Sequence, residues 1–461
     1  MTKRVIYISL ILLVASITLA ADKAVGPSSS GNGSGDDWSN IAQWSSITLV
    51  RGNTYYLQDG TYGSKTLNIV ASGSSYIYIK KATESAHGPS TGWSSTYGDG
   101  TATFSGGAYL TVTTDYWDID GVTGGGPGSW KSGHGIVFTS TAGTDATYIN
   151  ASDTSYVFIR HIEFNQTGDT TAYSTMTSGV FTSSGSASFS NSTVEYCYFE
   201  NLGGLPFFMR AGTTNIFQYN YTGDVCGASV FNADNHCEVI VTHDMDDVHW
   251  RWNYHAECPS TGCFVSNSGA STDVRIYGNV FNGSNPISCN NAAGNNDWRI
   301  FNNTFVGAKQ GFTQGDCGHS GWMEYNNVAY DHEGSALWDT RDYQWYSQTS
   351  NLSYTMGFGA NTNCTDQPGT CPETDDPFID SSGDEPEDFK LSAELSGYAG
   401  TDTCVLDACT GEKKYNIDMF GTTRGVDGVW DRGAIEYGTE TPAPAPANAT
   451  QGVILDGTTL N

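Results

Sequence analysis

HWRWNYH, His249 to His255, is the stretch that decides the fold, because the same grammar returns on either side of it. RIYGNVF (Arg275 to Phe281), RIFNNTF (Arg299 to Phe305) and MEYNNVA (Met323 to Ala329) follow it, while VEYCYF (Val194 to Phe199) and IFQYNY (Ile216 to Tyr221) precede it. Lined up, one position reads Cys197, Asn220, Asn253, Asn279, Asn303 and Asn327, in steps of 23, 33, 26, 24 and 24 residues. A step held mostly in the twenties marks coils stacked on one another. Inside each rung apolar and outward residues alternate, which is strand periodicity, and no helical pattern of useful length interrupts it. Short strands joined by turns, each about 4.8 Å above the last, form a β-solenoid, and parallel crossovers are right-handed almost without exception. The expected fold is all-β: a single-stranded right-handed parallel β-helix with a C-terminal closing segment. Asn side chains stacked at a turn would hydrogen-bond up the ladder and satisfy one another. Glu324 interrupts the apolar column Val194, Phe217, Trp250, Ile276 and Ile300, and nothing in the sequence explains it.

Working outward, the chain has 461 residues and a formal charge of −29. Such a charge keeps it soluble and argues against nucleic acid, which needs a basic face. Lys3 and Arg4, the apolar run Val5 to Ala15 and the small-residue end Thr18-Leu19-Ala20 read as a secretory signal over residues 1–20. An uncleaved anchor is the alternative, for which the apolar run is short. The expectation is a secreted protein without a membrane span after cleavage, with residues 21–437 as one β-helix domain and 438–461 as a Pro/Ala-rich tail carrying TPAPAPAN. Export makes the 11 cysteines candidate disulfides. Spacing suggests Cys226 with Cys237, Cys258 with Cys263, Cys364 with Cys371, Cys404 with Cys409, and Cys289 with Cys317. Cys197, on the ladder, is left over as a buried thiol.

ITLVRGNTYYLQDGTYG (Ile47 to Gly63), SGSSYIYIKKAT (Ser72 to Thr83), ATFSGG (Ala102 to Gly107) and YWDIDGV (Tyr116 to Val122) resemble the opening coils of secreted right-handed β-helix proteins of the pectate-lyase-like superfamily. YVFIRHIEF (Tyr156 to Phe164) repeats the grammar, so coils are expected from about residue 50 to 330. IDMFGTTRGVDGVWDRGAIEY (Ile417 to Tyr437) resembles the element that closes many bacterial β-helices and is expected to cap the domain. The acidic run Glu373 to Asp388 reads as solvated loop, with a calcium site as the alternative.

The 33-residue step between Asn220 and Asn253 holds the densest polar cluster: Asp224, Asp234, His236, Glu238, His243, Asp244, Asp246 and Asp247. Insertions on a solenoid gather on one side, often the binding face. On outward positions His249, Arg275 and Arg299 should share one column, and Arg251, Tyr277, Phe301 and Tyr325 the next. Sugar rings stack on aromatic faces and sugar carboxylates pair with Arg, so this strip is the expected substrate-binding surface for a polysaccharide; the alternative is an ordinary aromatic sheet face. The resemblance implies lyase chemistry on a uronate-containing glycan. β-Elimination needs a cation on the sugar carboxylate and a base for the C5 proton. Asp244, Asp246 and Asp247 are the candidate calcium ligands, against an exposed acidic turn. Arg251 is the first candidate base, since Arg or Lys fills that role in the lyases resembled, and His249 the second. Gly133-His134-Gly135 and Asp246-Asp247 echo hydrolase motifs of related β-helices, but in inverted order and without the other two, and are read as coincidence. His255, in a column with Phe199, Phe281 and Phe305, reads as a core substitution. The competing function is a non-catalytic glycan-binding or structural surface rod.

Overall fold

The structure, a computed structural model, describes residues 20–107, 109–141, 146–167, 177–182, 187–225, 238–257, 262–267, 269–283, 286–290, 297–306, 313–314, 323–325, 327–330, 378–380, 382–394, 417–426, 430–431 and 433–438. It is a right-handed parallel β-helix whose coils, among the described residues, build three columns of parallel strands. Among the described residues the third column is a 10-stranded parallel sheet from Gly60–Tyr62 to Val328–Tyr330, and the first and second together make a 19-stranded sheet. Stacking begins earlier than the sequence suggested: Asp22–Gly26 already pairs in parallel with Thr54–Leu57. The strands Phe207–Gln218 and Ile240–Arg251 each run without a break through the first and second columns.

Register matches the expected rungs. Val194 pairs with Phe217, Phe217 with Trp250, Trp250 with Ile276, and Ile276 with Ile300. All five point into the core with at most 1% exposure. In the third column the rings of Phe104, Phe138, Phe164 and Phe199 stack at 4.6, 5.5 and 4.7 Å, so each coil covers the face that its neighbour could not bury alone. Ile300 pairs with Glu324, whose side chain lies outside the described residues.

The asparagine ladder supports the turn between second and third columns. The Asn279 Oδ1 accepts from the backbone N–H and side-chain amide of Asn253 at 2.9 and 3.1 Å, while its own Nδ2 donates to the Trp250 carbonyl at 2.8 Å. Asn220, Asn303 and Asn327 repeat the pattern, and Cys197 joins through its backbone N–H to Asn220 Oδ1 at 3.1 Å. The amides thus replace the backbone partners that a tight turn removes. The residue before five of the ladder positions is left-handed: φ is 57° at Tyr196, 54° at Tyr219, 53° at Trp252, 66° at Gly278 and 53° at Asn302. Stacking helps to offset that strain, with Tyr196 on Tyr219 at 5.0 Å and Tyr219 on Trp252 at 5.1 Å. Glycine is required at 278, where a Cβ would stand 2.6 Å from the Trp252 ring.

The described segments between residues 378 and 438 lie along the side of the solenoid. Phe378, Phe389, Leu391, Met419, Phe420 and Ile435 form one apolar cluster with Tyr198, Tyr221, Tyr254, Val280 and Val328, outward residues of the third column. The end of the acidic run is docked there: Lys131 holds Asp384 and Glu385 at 3.2 and 2.7 Å, and Trp130 Nε1 donates to Glu387 at 3.2 Å. The expected closing element is a buried polar knot. Arg424 pairs with Glu436 at 3.2 Å and donates to the carbonyls of Gly433 and Ala434, while Asp418 accepts from the backbone of Phe420, Thr422 and Glu436. The Ala434 N–H donates to Thr304 Oγ1 at 2.9 Å, which fixes the knot against the flank of the late coils.

Cys197 is a buried free thiol whose pKa is pushed up by burial. Cys263 is disulfide-bonded. Its suggested partner Cys258, and Cys226, Cys237, Cys317, Cys364, Cys371, Cys404 and Cys409, lie outside the described residues. No helix among the described residues is long and apolar enough to cross a membrane.

Candidate functional site

The outer surface of the second column is where the predicted site residues meet, since alternate residues of each strand face away from the core. The two expected columns are real: His249 pairs with Arg275 and Arg275 with Arg299, while Arg251 pairs with Tyr277, Tyr277 with Phe301 and Phe301 with Tyr325. Their exposure is not what a binding strip requires. Tyr277 and Phe301 are each 1% exposed and stack on one another at 4.8 Å within 2° of parallel, inside the second apolar cluster. Nothing is described for the Tyr325 side chain. The expected open aromatic platform is therefore closed at this height of the rod, because a hydrophobic ring is stabilised more by burial than by awaiting a ligand.

Arg251 is 7% exposed. Its Nε donates to Gln218 at 2.8 Å, an Nη donates to the Tyr277 hydroxyl at 2.7 Å, and the guanidinium lies 4.4 Å over the Trp252 ring. A guanidinium so held stays protonated, which fits a bracing role between rungs better than proton abstraction. His249 Nε2 lies 3.1 Å from Asp247 Oδ1, and Arg275 donates to the same oxygen at 3.2 Å. Burial pushes the His249 pKa down to about 4 against the pull of Asp247, with Arg251 and Arg275 adding to the depression. Burial acts upward on Asp247, but the hydrogen bond from His249 and the charges of His249 and Arg275 prevail and hold it low. At neutral pH the neutral ring thus donates from Nε2 to an ionised carboxylate and carries its lone pair on Nδ1, an atom turned away from solvent.

The structure does not gather Asp244, Asp246 and Asp247. Asp244 accepts from the Ala270 N–H at 3.1 Å, Asp246 from the Thr272 hydroxyl, and Asp247 from His249 and Arg275. Among the described residues no group of His, Cys, Asp or Glu converges in metal-binding geometry. As placed, the three carboxylates do not fit a calcium ion, because each is engaged by a separate partner and they do not converge. The wider cluster is likewise dispersed: Glu238 and His243 are buried, Asp224 is exposed, and Asp234 and His236 lie outside the described residues.

What comes together instead is a carboxylate from each successive coil. Asp247, Asp273 and Asp297 occupy one turn position, with φ of 53°, 54° and 60°. Arg275 bridges the first two at 3.2 and 2.8 Å, and Arg299 meets Asp297 at 3.1 Å. The signal was present in DVHW, DVRI and DWRI, where Asp stands two residues before each outward His or Arg. Each arginine is thereby matched with a carboxylate of its own turn.

His255 is fully buried between partners, as the core reading held. Trp250 Nε1 donates to its Nε2 at 3.0 Å, so the proton sits on Nδ1, which meets Thr222 Oγ1 at 2.7 Å; burial pushes its pKa down to about 3. His134 is also buried, with its pKa pushed down to about 3 by burial.

The sequence reading missed a polar ladder on the same face in the earlier coils. Lys80, Asp120, Arg160, Glu195, Gln218 and Arg251 are successive register partners. Lys80 approaches Asp120 at 3.8 Å, and Arg160 approaches Asp118, Asp120 and Glu195 at 2.6, 3.5 and 3.7 Å. Gln218 then donates to Glu195 at 2.6 Å and accepts from Arg251. Single rungs do not reveal it, since charges dozens of residues apart become neighbours only through stacking.

No family model matches this chain, and no curated protein does. Among solved structures, pectate lyase Pel9A overlays with a TM-score of 0.40 at 13% identity, covering 92% of this chain and 98% of that one. A GH136 lacto-N-biosidase from Eubacterium ramulus overlays with a TM-score of 0.24 at 11% identity, covering 66% of this chain and 67% of that one. Neither likeness carries an argument about chemistry, and the fold stands on the strand pairing.

Proposed function

We propose that this chain is an extracellular β-helix that engages a polysaccharide along the outer face of its second column. The observation that carries the reading is the ladder from Lys80 to Arg251, which repeats polar groups once per coil along a straight, rigid face. A linear sugar polymer repeats its hydroxyls with comparable regularity, and a face that holds its side chains in place loses little entropy on binding.

The finer form of this reading is calcium-assisted β-elimination of a uronate-containing glycan, with Arg251 or His249 as base. Arg251 is engaged on both sides, the His249 Nδ1 is buried, and the arginines of the strip are each matched by carboxylates. These observations favour the binding form, in which the rod holds a glycan without cleaving it. Incubation with pectate, alginate and glycosaminoglycans, read as ultraviolet absorbance of the unsaturated product with and without chelator, separates the two. Chelator-sensitive absorbance growth that Arg251→Ala or His249→Ala abolishes would establish the lyase; flat traces with retained polymer binding would establish the binding form.

A further inference from the structure

The outer face changes character toward the N-terminal coils. Tyr76, Tyr116 and Tyr156 hold the turn position that Asp247, Asp273 and Asp297 hold later, and Tyr78 and Phe158 stand on the adjoining strand position. Tyr116 and Tyr156 stack at 4.7 Å within 2° of parallel, and Tyr76 packs 5.3 Å from Tyr116 and 5.7 Å from Phe158. All five are half-buried, and among the described residues none of the four tyrosine hydroxyls has a protein partner. The core beneath does not need them, since Ile77, Ile79, Trp117, Ile119, Val157 and Ile159 already fill it with no exposure.

We propose that this aromatic cluster is a sugar-binding platform for a neutral pyranose polymer; the inference rests on the reading of the chain as glycan-engaging and gives that reading a place and a substrate class. Partly exposed rings with free hydroxyls offer apolar surface to the C–H side of a sugar and hydrogen bonds to its rim. Charge selects the class. Beside the rings the cations Arg51, Lys80 and Arg160 stand against four carboxylates, Asp115, Asp118, Asp120 and Glu195, so the patch carries no net positive charge for a polyanion. The chain as a whole, at −29, repels polyanions as well. The platform is continuous with the site described above: Phe158, Thr193, Ile216 and His249 are successive register partners, so a polymer seated on the rings reaches His249 after three rungs, about 14 Å.

The test is native affinity electrophoresis of the full chain in gels containing xylan, mixed-linkage β-glucan or galactomannan, and in parallel pectate or alginate. The expected result is retardation by at least one neutral polymer, with binding weakened at least tenfold in the Tyr116→Ala/Tyr156→Ala double variant at an unchanged circular dichroism spectrum. If the double variant does not fold, Tyr78→Ser on the outer strand face decides, with at least threefold weakening expected. Wild-type retardation in the folded variants overturns the platform and leaves the glycan reading intact. Salt-sensitive retardation by polyanions alone overturns the neutral class, and no retardation by any polymer overturns both.

Discussion

The early and late coils share one backbone register and put opposite chemistry on it. At the same turn position the early rungs carry Tyr76, Tyr116 and Tyr156 and the late rungs Asp247, Asp273 and Asp297. On the neighbouring strand, partly exposed Tyr78 and Phe158 give way to Arg275 and Arg299, and farther along Tyr277 and Phe301 are sealed. A parallel β-helix permits this because inward side chains and the asparagine ladder fix the coil height, which leaves outward positions free to differ. Aromatic composition alone does not mark a binding face; the exposure of the rings does.

The largest effect should come from treating the two aromatic sets alike. Tyr277→Ala removes a buried stacked ring and is expected to lower stability by about 3–5 kcal/mol, whereas Tyr116→Ala, on a half-exposed ring, should cost under about 1 kcal/mol. Chemical denaturation of both variants checks this, and equal losses would erase the contrast. Next, Asn279→Ala takes from the late coils the acceptor of the Asn253 backbone N–H, one of the two bonds of the Asn253 side-chain amide and the amide donor to the Trp250 carbonyl, for a cost of roughly 3 kcal/mol. Hydrogen exchange should show the opening spreading from that rung, and uniform exchange along the rod would argue against a local ladder.

Acid should act through the buried histidines. His134, His249 and His255 have folded pKa values pushed below 6.5, to about 3, 4 and 3, so the unfolded chain binds protons that the native chain refuses. Stability is therefore present above pH 6.5 and lost as pH falls toward those values, at up to about 1.4 kcal/mol per pH unit for each histidine. His255→Phe, which copies Phe281 and Phe305, should flatten the melting-temperature slope between pH 6 and 4; an unchanged slope would remove His255 from the account. The smallest effect is expected at Lys131→Ala, whose partly exposed pairs with Asp384 and Glu385 contribute about 0–1 kcal/mol. Limited proteolysis of the C-terminal segment should barely change, and rapid clipping would show that those pairs hold it down.

Much of the fold was legible because inward alternation and the Asn step repeat in the text from Val194 to Ala329. The site was less so. The columns of His249 and Arg251 were read in the right register, yet the text carried no sign that Tyr277 and Phe301 would be buried or that Arg251 would be bonded to Gln218 and Tyr277. Asp244, Asp246 and Asp247 looked like a ligand set because they are close in sequence, while their side chains are engaged separately by Ala270, Thr272 and His249.

The sequence by itself determined the coil: which residues face inward, where the turn falls and how one rung registers on the next, since these follow from local alternation and a repeated amide. Tertiary structure alone decided which outward residues stay accessible and which charges meet. The Lys80-to-Arg251 ladder is assembled from residues on separate coils, and the apolar cluster joining Phe389 and Ile435 to Tyr254 and Tyr277 spans well over a hundred residues of chain. Burial and ion pairing depend on what arrives from elsewhere in the chain, and local periodicity carries no record of that.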